Sequence, residues 1–240
     1  MDAVKPTNTN VRFLACSLPC PEDDAEQDDG WYRFLVDGKH VKYVATYPKA
    51  LGGDALDRSL AQIVLGELLP ALPPGDWNSG HKVTFVETWT EVYAAVETLW
   101  CPVSVNEVDF KQVQNLKGNV LVVTNPFMNV GIPVVVKIAT WPWGIPYLEA
   151  ETTAYRAICD TGVGPRFLAH ITEGINGRVI GFAMEWIPNA RAAGPGDLEA
   201  CKEALGRLHA LGFILGDINN FNFLVRDGAR HKSLKMKWTG

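Results

Sequence analysis

Apolar positions along this chain follow two rhythms. Short apolar runs of strand length occupy Val11–Leu18, Trp31–Val36 and His40–Thr46, and Asp37-Gly38 between the last two predicts a tight hairpin. Leu56, Leu60, Ile63, Val64 and Leu68 then recur at helical spacing. They predict a helix over Asp54–Leu69, capped by Asp54 and ended by Pro70, Pro73, Pro74 and Gly75. Residues 70–82 read as a linker-like loop, Val83–Val86 as a strand, and Thr90–Leu99 as a short helix with Val92, Val96 and Leu99 on one side. Three successive strands follow, over Val108–Gln114, Asn119–Thr124 and Val134–Ala139, the first two joined near Lys117-Gly118. Tyr147–Ile158 has helical character, and Leu168–Ile171 and Val179–Met184 are two more strands around Asn176-Gly177. Leu198–Leu211 is amphipathic, with Cys201, Leu205, Leu208 and Leu211 as its inner face. A loop over Gly216–Asn222 leads into a strand at Phe223–Val225.

Composition narrows what such a chain does. Hydrophobic residues make up 47% of its 240 positions, enough for a substantial core. A net charge of −5 argues against a broad nucleic-acid surface, so nucleic acid is not expected as a partner. No uninterrupted apolar run reaches membrane-spanning length, and no membrane association is expected. Five scattered cysteines read as reduced thiols, which places the protein in the cytoplasm or nucleus; Cys16 and Cys20 lack a second pair at zinc-ligand spacing. The acidic run Glu22–Asp29 reads as a solvated loop, because it lacks the glycine and terminal glutamate of a calcium loop. His40, His81, His170 and His231 belong to no motif and are expected at the surface, and the tryptophans, Trp141 and Trp143 among them, read as packing residues.

Two polar features stand out. Lys137 sits inside the apolar strand Val134–Ala139, and burying an ammonium is costly unless an opposite charge is near. The helix behind it offers two carboxylates. Glu151 shares a face with Tyr155 and is the better-placed partner, with Glu149 second. Further on, Asp217 is followed five residues later by Asn222, directly before an apolar strand. Alone, that spacing also fits a turn-capping pair. In phosphoryl transfer, such an aspartate takes the proton of the attacking hydroxyl and the asparagine holds a magnesium ion.

Taken in order, these residues resemble the protein-kinase-like superfamily, and its small kinase-like and aminoglycoside-phosphotransferase-like branches more than the large kinases. Val136-Lys137 matches the strand-three lysine motif, and Met184-Glu185-Trp186-Ile187-Pro188 looks like a fifth strand running into the hinge that grips an adenine edge. Leu205–Phe213 resembles the helix before the catalytic loop. The loop is similar to that of small fungal kinase-like proteins, some of which carry an alpha-galactosidase name, yet no acid and nucleophile pair suited to glycoside hydrolysis is identifiable.

The resemblance implies an α+β chain. A small α/β N-terminal region of unknown role, residues 1–102, would precede a protein-kinase-like N-lobe of antiparallel sheet plus helix, with hinge, over 103–188. A truncated C-lobe with the catalytic loop would occupy 189–240. It implies an ATP-dependent phosphotransferase with ATP and magnesium as cofactors. Asp217 would be the base and Asn222 a metal ligand. Lys137 and Glu151 would form the phosphate clamp, with Met184, Glu185 and Trp186 against the nucleotide. The chain departs from the pattern at three places. Leu215 stands where the family usually has histidine, and Asn115–Asn119 holds one glycine in place of a glycine-rich loop. No Asp-Phe-Gly or Asp-Phe-Glu follows Val225, and Asp227-Gly228 falls one strand too early and reads as a turn. Residual ATP binding with weak or absent turnover is therefore expected. The alternatives are a non-catalytic pseudokinase scaffold and a truncated product of an ATP-dependent kinase; the acceptor, protein or small molecule, stays open.

Overall fold

A left-handed turn sets the register of the first sheet. The computed structural model describes residues 10–17, 30–46, 79–83, 88–128, 131–175, 177–216, 218–227 and 232–236. Within it, Asp37 and Gly38 take φ angles of 54° and 66° between β2 (Gly30–Val36) and β3 (His40–Thr46). Positive φ at both central residues matches the twist of the flanking strands, and Val36 pairs directly with His40. With β1 (Val11–Ser17), β4 (Ser79–Val83) and β5 (Thr88–Val92) these strands form a sheet in sequence order, antiparallel except for the β3–β4 pair. Tyr32, Phe34 and Val44 are its buried cluster, covered in part by Val11, Phe13 and Cys16.

A charged group is buried in the same unit. The Glu173 carboxylate takes Arg33 Nη2 at 2.9 Å, Arg178 Nε at 2.8 Å and the Tyr43 hydroxyl. Each guanidinium also lies 5.6 Å from the centre of the Tyr43 ring. Burial pushes the Glu173 carboxyl up. The Arg33 and Arg178 charges, with hydrogen bonds from Arg178 and Tyr43, outweigh it and hold the group below the usual range.

The chain divides into two compact units: Met1–Ala94 with Glu173–Arg178, and Ala95–Thr172 with Val179–Gly240. The first division falls at Ala94/Ala95; 103–172 and 179–240 share the second unit, and Glu173–Arg178 belong to the first. The helix expected over Asp54–Leu69 and the acidic run lie outside the described residues. Ser79–Lys82, expected in a loop, belong to β4. Thr90–Leu99 is not a helix. Its first three residues complete β5, and Val96 N–H then donates to Val179 O, and Glu97 and Thr98 N–H to the Glu149 carboxylate. Amides committed to other elements cannot close helical turns.

The second unit is mixed α+β. Its large sheet runs β6-β10-β11-β9-β8-β7, built from β6 (Ser104–Asn106), β7 (Lys111–Lys117), β8 (Val120–Thr124), β9 (Val134–Ile138), β10 (Phe167–Thr172) and β11 (Val179–Glu185). All its pairs are antiparallel except β6–β10. β7 starts at Lys111 where a strand was expected from Val108, because the Asn106 side chain caps a 3-10 turn over Glu107–Asp109. Every residue of β7 is exposed, and its pairing with β8 breaks register twice. β9, by contrast, is buried throughout.

Helix α1 (Ile145–Ile158) has Pro146 in its first turn, where a missing N–H costs nothing. It buries Ile145, Leu148, Glu151, Thr152, Tyr155 and Ile158 along one stripe, and Asp160 turns the chain away at φ 61°. Helix α2 (Leu198–Ala210) buries Cys201, Ala204 and Leu208. Leu205 is only partly buried and Leu211 is 42% exposed, so the inner face is narrower than expected, and Gly212, at φ 83°, ends the helix. A small sheet, β12 (Arg191–Ala192), β13 (Phe223–Asp227) and β14 (Lys232–Met236), completes the unit.

Gly181 lets β11 lie close against β9. A Cβ there would stand 2.2 Å from Lys137 O and 3.0 Å from Ile138 Cα, both backbone atoms. Gly181→Ala is expected to destabilise the second unit by about 1–3 kcal/mol. An unchanged urea midpoint would show that the two strands separate freely.

Candidate functional site

Lys137 is positioned by pairing on both sides, opposite Val120 of β8 and Phe182 of β11. It is 6% exposed, and Glu151, on the buried stripe of α1, is 5% exposed. Lys137 Nζ donates to Glu151 Oε1. Glu149 is turned elsewhere, accepting from Glu97 N at 2.7 Å, Thr98 N at 3.3 Å and the Thr98 hydroxyl. One turn beyond Glu151, the buried Tyr155 hydroxyl donates to Met184 Sδ at 3.2 Å. Burial, then the Glu151 and Glu185 carboxylates, pushes that phenol well above its ordinary range, so it stays a donor.

The end of β11 takes a mixed part. Met184 is buried, pairs with Phe167 and Val135, and lines neither of the clefts described below. Glu185 N–H donates to Arg166 O at 2.9 Å and is committed within the fold. Trp186 packs partly buried against the core.

The loop before β13 is built by asparagines. Asn219 Oδ1 accepts from Phe221 N at 2.9 Å, and Asn222 N donates to Asn219 O at 3.1 Å, closing a 3-10 turn over Asn220–Asn222. Asn222 is 1% exposed. Asp217 lies outside the described residues. Leu215 is buried in the core.

Asp227 ends β13 and is held by Arg191, Nε to Oδ2 at 2.9 Å and Nη2 to Oδ1 at 3.3 Å. Four strand steps of roughly 3.3 Å separate it from Phe223, too far to share an ion with Asn222. The next strand, β14, reads Lys-Ser-Leu-Lys-Met and brings no carboxylate. Among the described residues no three His, Cys, Asp or Glu side chains converge as a metal site.

His170 corrects a surface expectation, being 1% exposed on β10. Trp141 and Trp143 stack on each other at 5.5 Å, with Trp143 52% exposed. Open clefts mark this unit among the described residues. One of about 360 Å³ is lined by Tyr155, Cys159, Asp160, Arg166, Phe167 and Glu185 among others; one of about 510 Å³ lies along α2 and the 218–223 loop. Lys137 lines neither.

No protein-family model matches this chain, and no curated protein matches it. No helix among the described residues is long and apolar enough to cross a membrane.

Proposed function

We propose that the second unit is a kinase-like domain that binds a nucleotide and transfers its phosphoryl group slowly or not at all. The buried Lys137–Glu151 pair carries this reading. A lysine on the third strand paired with a glutamate on the following helix is the arrangement protein kinases use to present an ammonium to nucleotide phosphates. Burying such a pair adds little stability against an apolar replacement, which leaves room for a role beyond stability. Asn222 supplies one buried oxygen donor at the end of its loop, and Asp217 would act there as the base. The described residues do not make a full magnesium site. That ion asks for carboxylate and phosphate oxygens, and β14 adds no carboxylate. Weak neutralisation of the transferring phosphoryl group follows, and with it low turnover.

Thermal denaturation with millimolar ATP, with and without magnesium, tests the nucleotide half. Stabilisation of about 2.7 kcal/mol is expected at a hundred times Kd, and Lys137→Met should abolish it. No shift at any ATP concentration would favour a non-catalytic scaffold, the reading that the carboxylate-free β14 also supports. Robust ATP consumption that disappears in Asp217→Asn would overturn the prediction of low turnover.

A further inference from the structure

We propose that residues 95–101 are a strap that fixes the rotation of α1, holding Glu151 against Lys137, and that acidification frees its Trp100–Cys101 end from His170. The regulatory meaning rests on the function proposed above; the strap itself does not.

The segment forms no helix or strand, yet it is tied down along its length. Val96 is buried and donates its N–H to Val179 O at 2.8 Å. Glu149 of α1 takes the amides of Glu97 and Thr98 and the Thr98 hydroxyl, which also lies 3.1 Å from Thr153 Oγ1. Trp100 Nε1 donates to Thr152 O at 3.3 Å, and the Trp100 ring lies 4.5 Å from that of Phe167. Trp100 N and Cys101 N both donate to His170 Nε2 at 3.2 Å.

Glu149 and Glu151 are two residues apart, about 200° around a helix of 3.6 residues per turn. One faces the strap and the other faces Lys137. A rotation of α1 about its own axis therefore breaks one attachment or the other. Freeing the strap at Glu149 removes the outer attachment that opposes such a rotation.

The His170 end is conditional on charge. An imidazole nitrogen that accepts two N–H groups must carry a lone pair, so the ring is neutral with its proton on Nδ1. An imidazolium would meet those two donors with a third. Its neighbours are the Trp100 ring edge-on at 6.3 Å, the Phe167 ring at 5.1 Å, and Ser104 and Phe182 on the paired strands. Among the described residues bonded to it, Cys101 is titratable, its thiol donating to Leu168 O at 3.6 Å, and the Glu149 carboxylate is another of the strap's anchors. Burial alone holds the imidazole below its usual value. The sign follows. The native fold needs the neutral ring, so this anchor is intact above the unfolded value of about 6.5 and weakens as pH falls below it. At Glu149, burial raises the carboxyl, but the bonds from Thr98 and from the Glu97 and Thr98 amides outweigh that and lower it. That anchor holds above the ordinary carboxylate range and fails only in stronger acid, after His170 has let go.

Residue-resolved amide exchange on the full chain without nucleotide, at about pH 7.5 and about pH 5.5 and corrected for intrinsic rates, tests the strap. Protection of Trp100 and Cys101 is expected to fall at least about tenfold at the lower pH. His170→Gln, which keeps an acceptor that does not titrate, should abolish that fall. Glu149→Ala and the milder Thr98→Val should deprotect Glu97 and Thr98 together with the Glu151 turn of α1. Strap protection that does not change with pH, or a fall as large in His170→Gln as in the wild type, overturns the acid release. Unchanged α1 exchange in Thr98→Val, which removes a single hydroxyl, overturns the brace. None of these readouts involves ATP, so they fail or succeed separately from the nucleotide shift.

Discussion

Replacing Glu151 with alanine is expected to lower the stability of the second unit by about 3–5 kcal/mol, measured by urea denaturation. Lys137 and Glu151 are each nearly closed to water, and the ammonium donates directly to the carboxylate. Removing the carboxylate alone leaves the cation inside the sheet without the anion that offsets its desolvation. Removing both should cost far less, because the charge that needs compensation goes as well. A Lys137→Met/Glu151→Leu double variant is therefore expected within about 1.5 kcal/mol of the wild type. A loss below about 1 kcal/mol in Glu151→Ala would mean that the lysine reaches solvent by another route.

The second large effect belongs to the first unit. Glu173→Ala should cost about 3–5 kcal/mol there, since it removes the carboxylate that two buried guanidiniums and the Tyr43 hydroxyl share. The same group sets an acid limit. Its folded-state value is depressed, so its contribution is complete above the unfolded value of about 4.3 and is lost as pH falls through the lower, folded one. Acid titration of the first unit's unfolding free energy checks this: a Glu173→Gln variant should lose the steep part of the curve, and a curve identical to the wild type would refute the assignment.

These two charged groups show what could be read in the sequence. Lys137 was legible because one charge interrupts the run Val134–Ala139. Choosing between Glu149 and Glu151 was harder, as both lie on one helix. The deciding signal is the spacing Leu148, Glu151, Tyr155, Ile158, which puts Glu151 in the apolar stripe. Glu173 was not legible. Two of its three partners, Tyr43 and Arg33, lie 130 and 140 positions upstream, and no local pattern encodes that meeting. The Thr90–Leu99 expectation failed because Val92, Val96 and Leu99 imitate helical spacing. In the fold only Val96 of the segment beyond β5 is fully buried, Leu99 is 59% exposed, and tertiary hydrogen bonds decide the backbone. His170 carried no motif, and its burial comes from a segment that sequence alone gave no reason to lay across β10.

The outermost strands of the six-stranded sheet carry a further consequence. An open sheet invites a foreign chain to pair with its last strand. On one side that strand is β6, with three residues. On the other it is β7, polar at most positions, with a lysine at each end and two bulges that interrupt its line of amides. Brevity on one flank and irregularity on the other discourage lateral growth into aggregates. The strand-rich core can thus end at two guarded edges without being closed into a barrel.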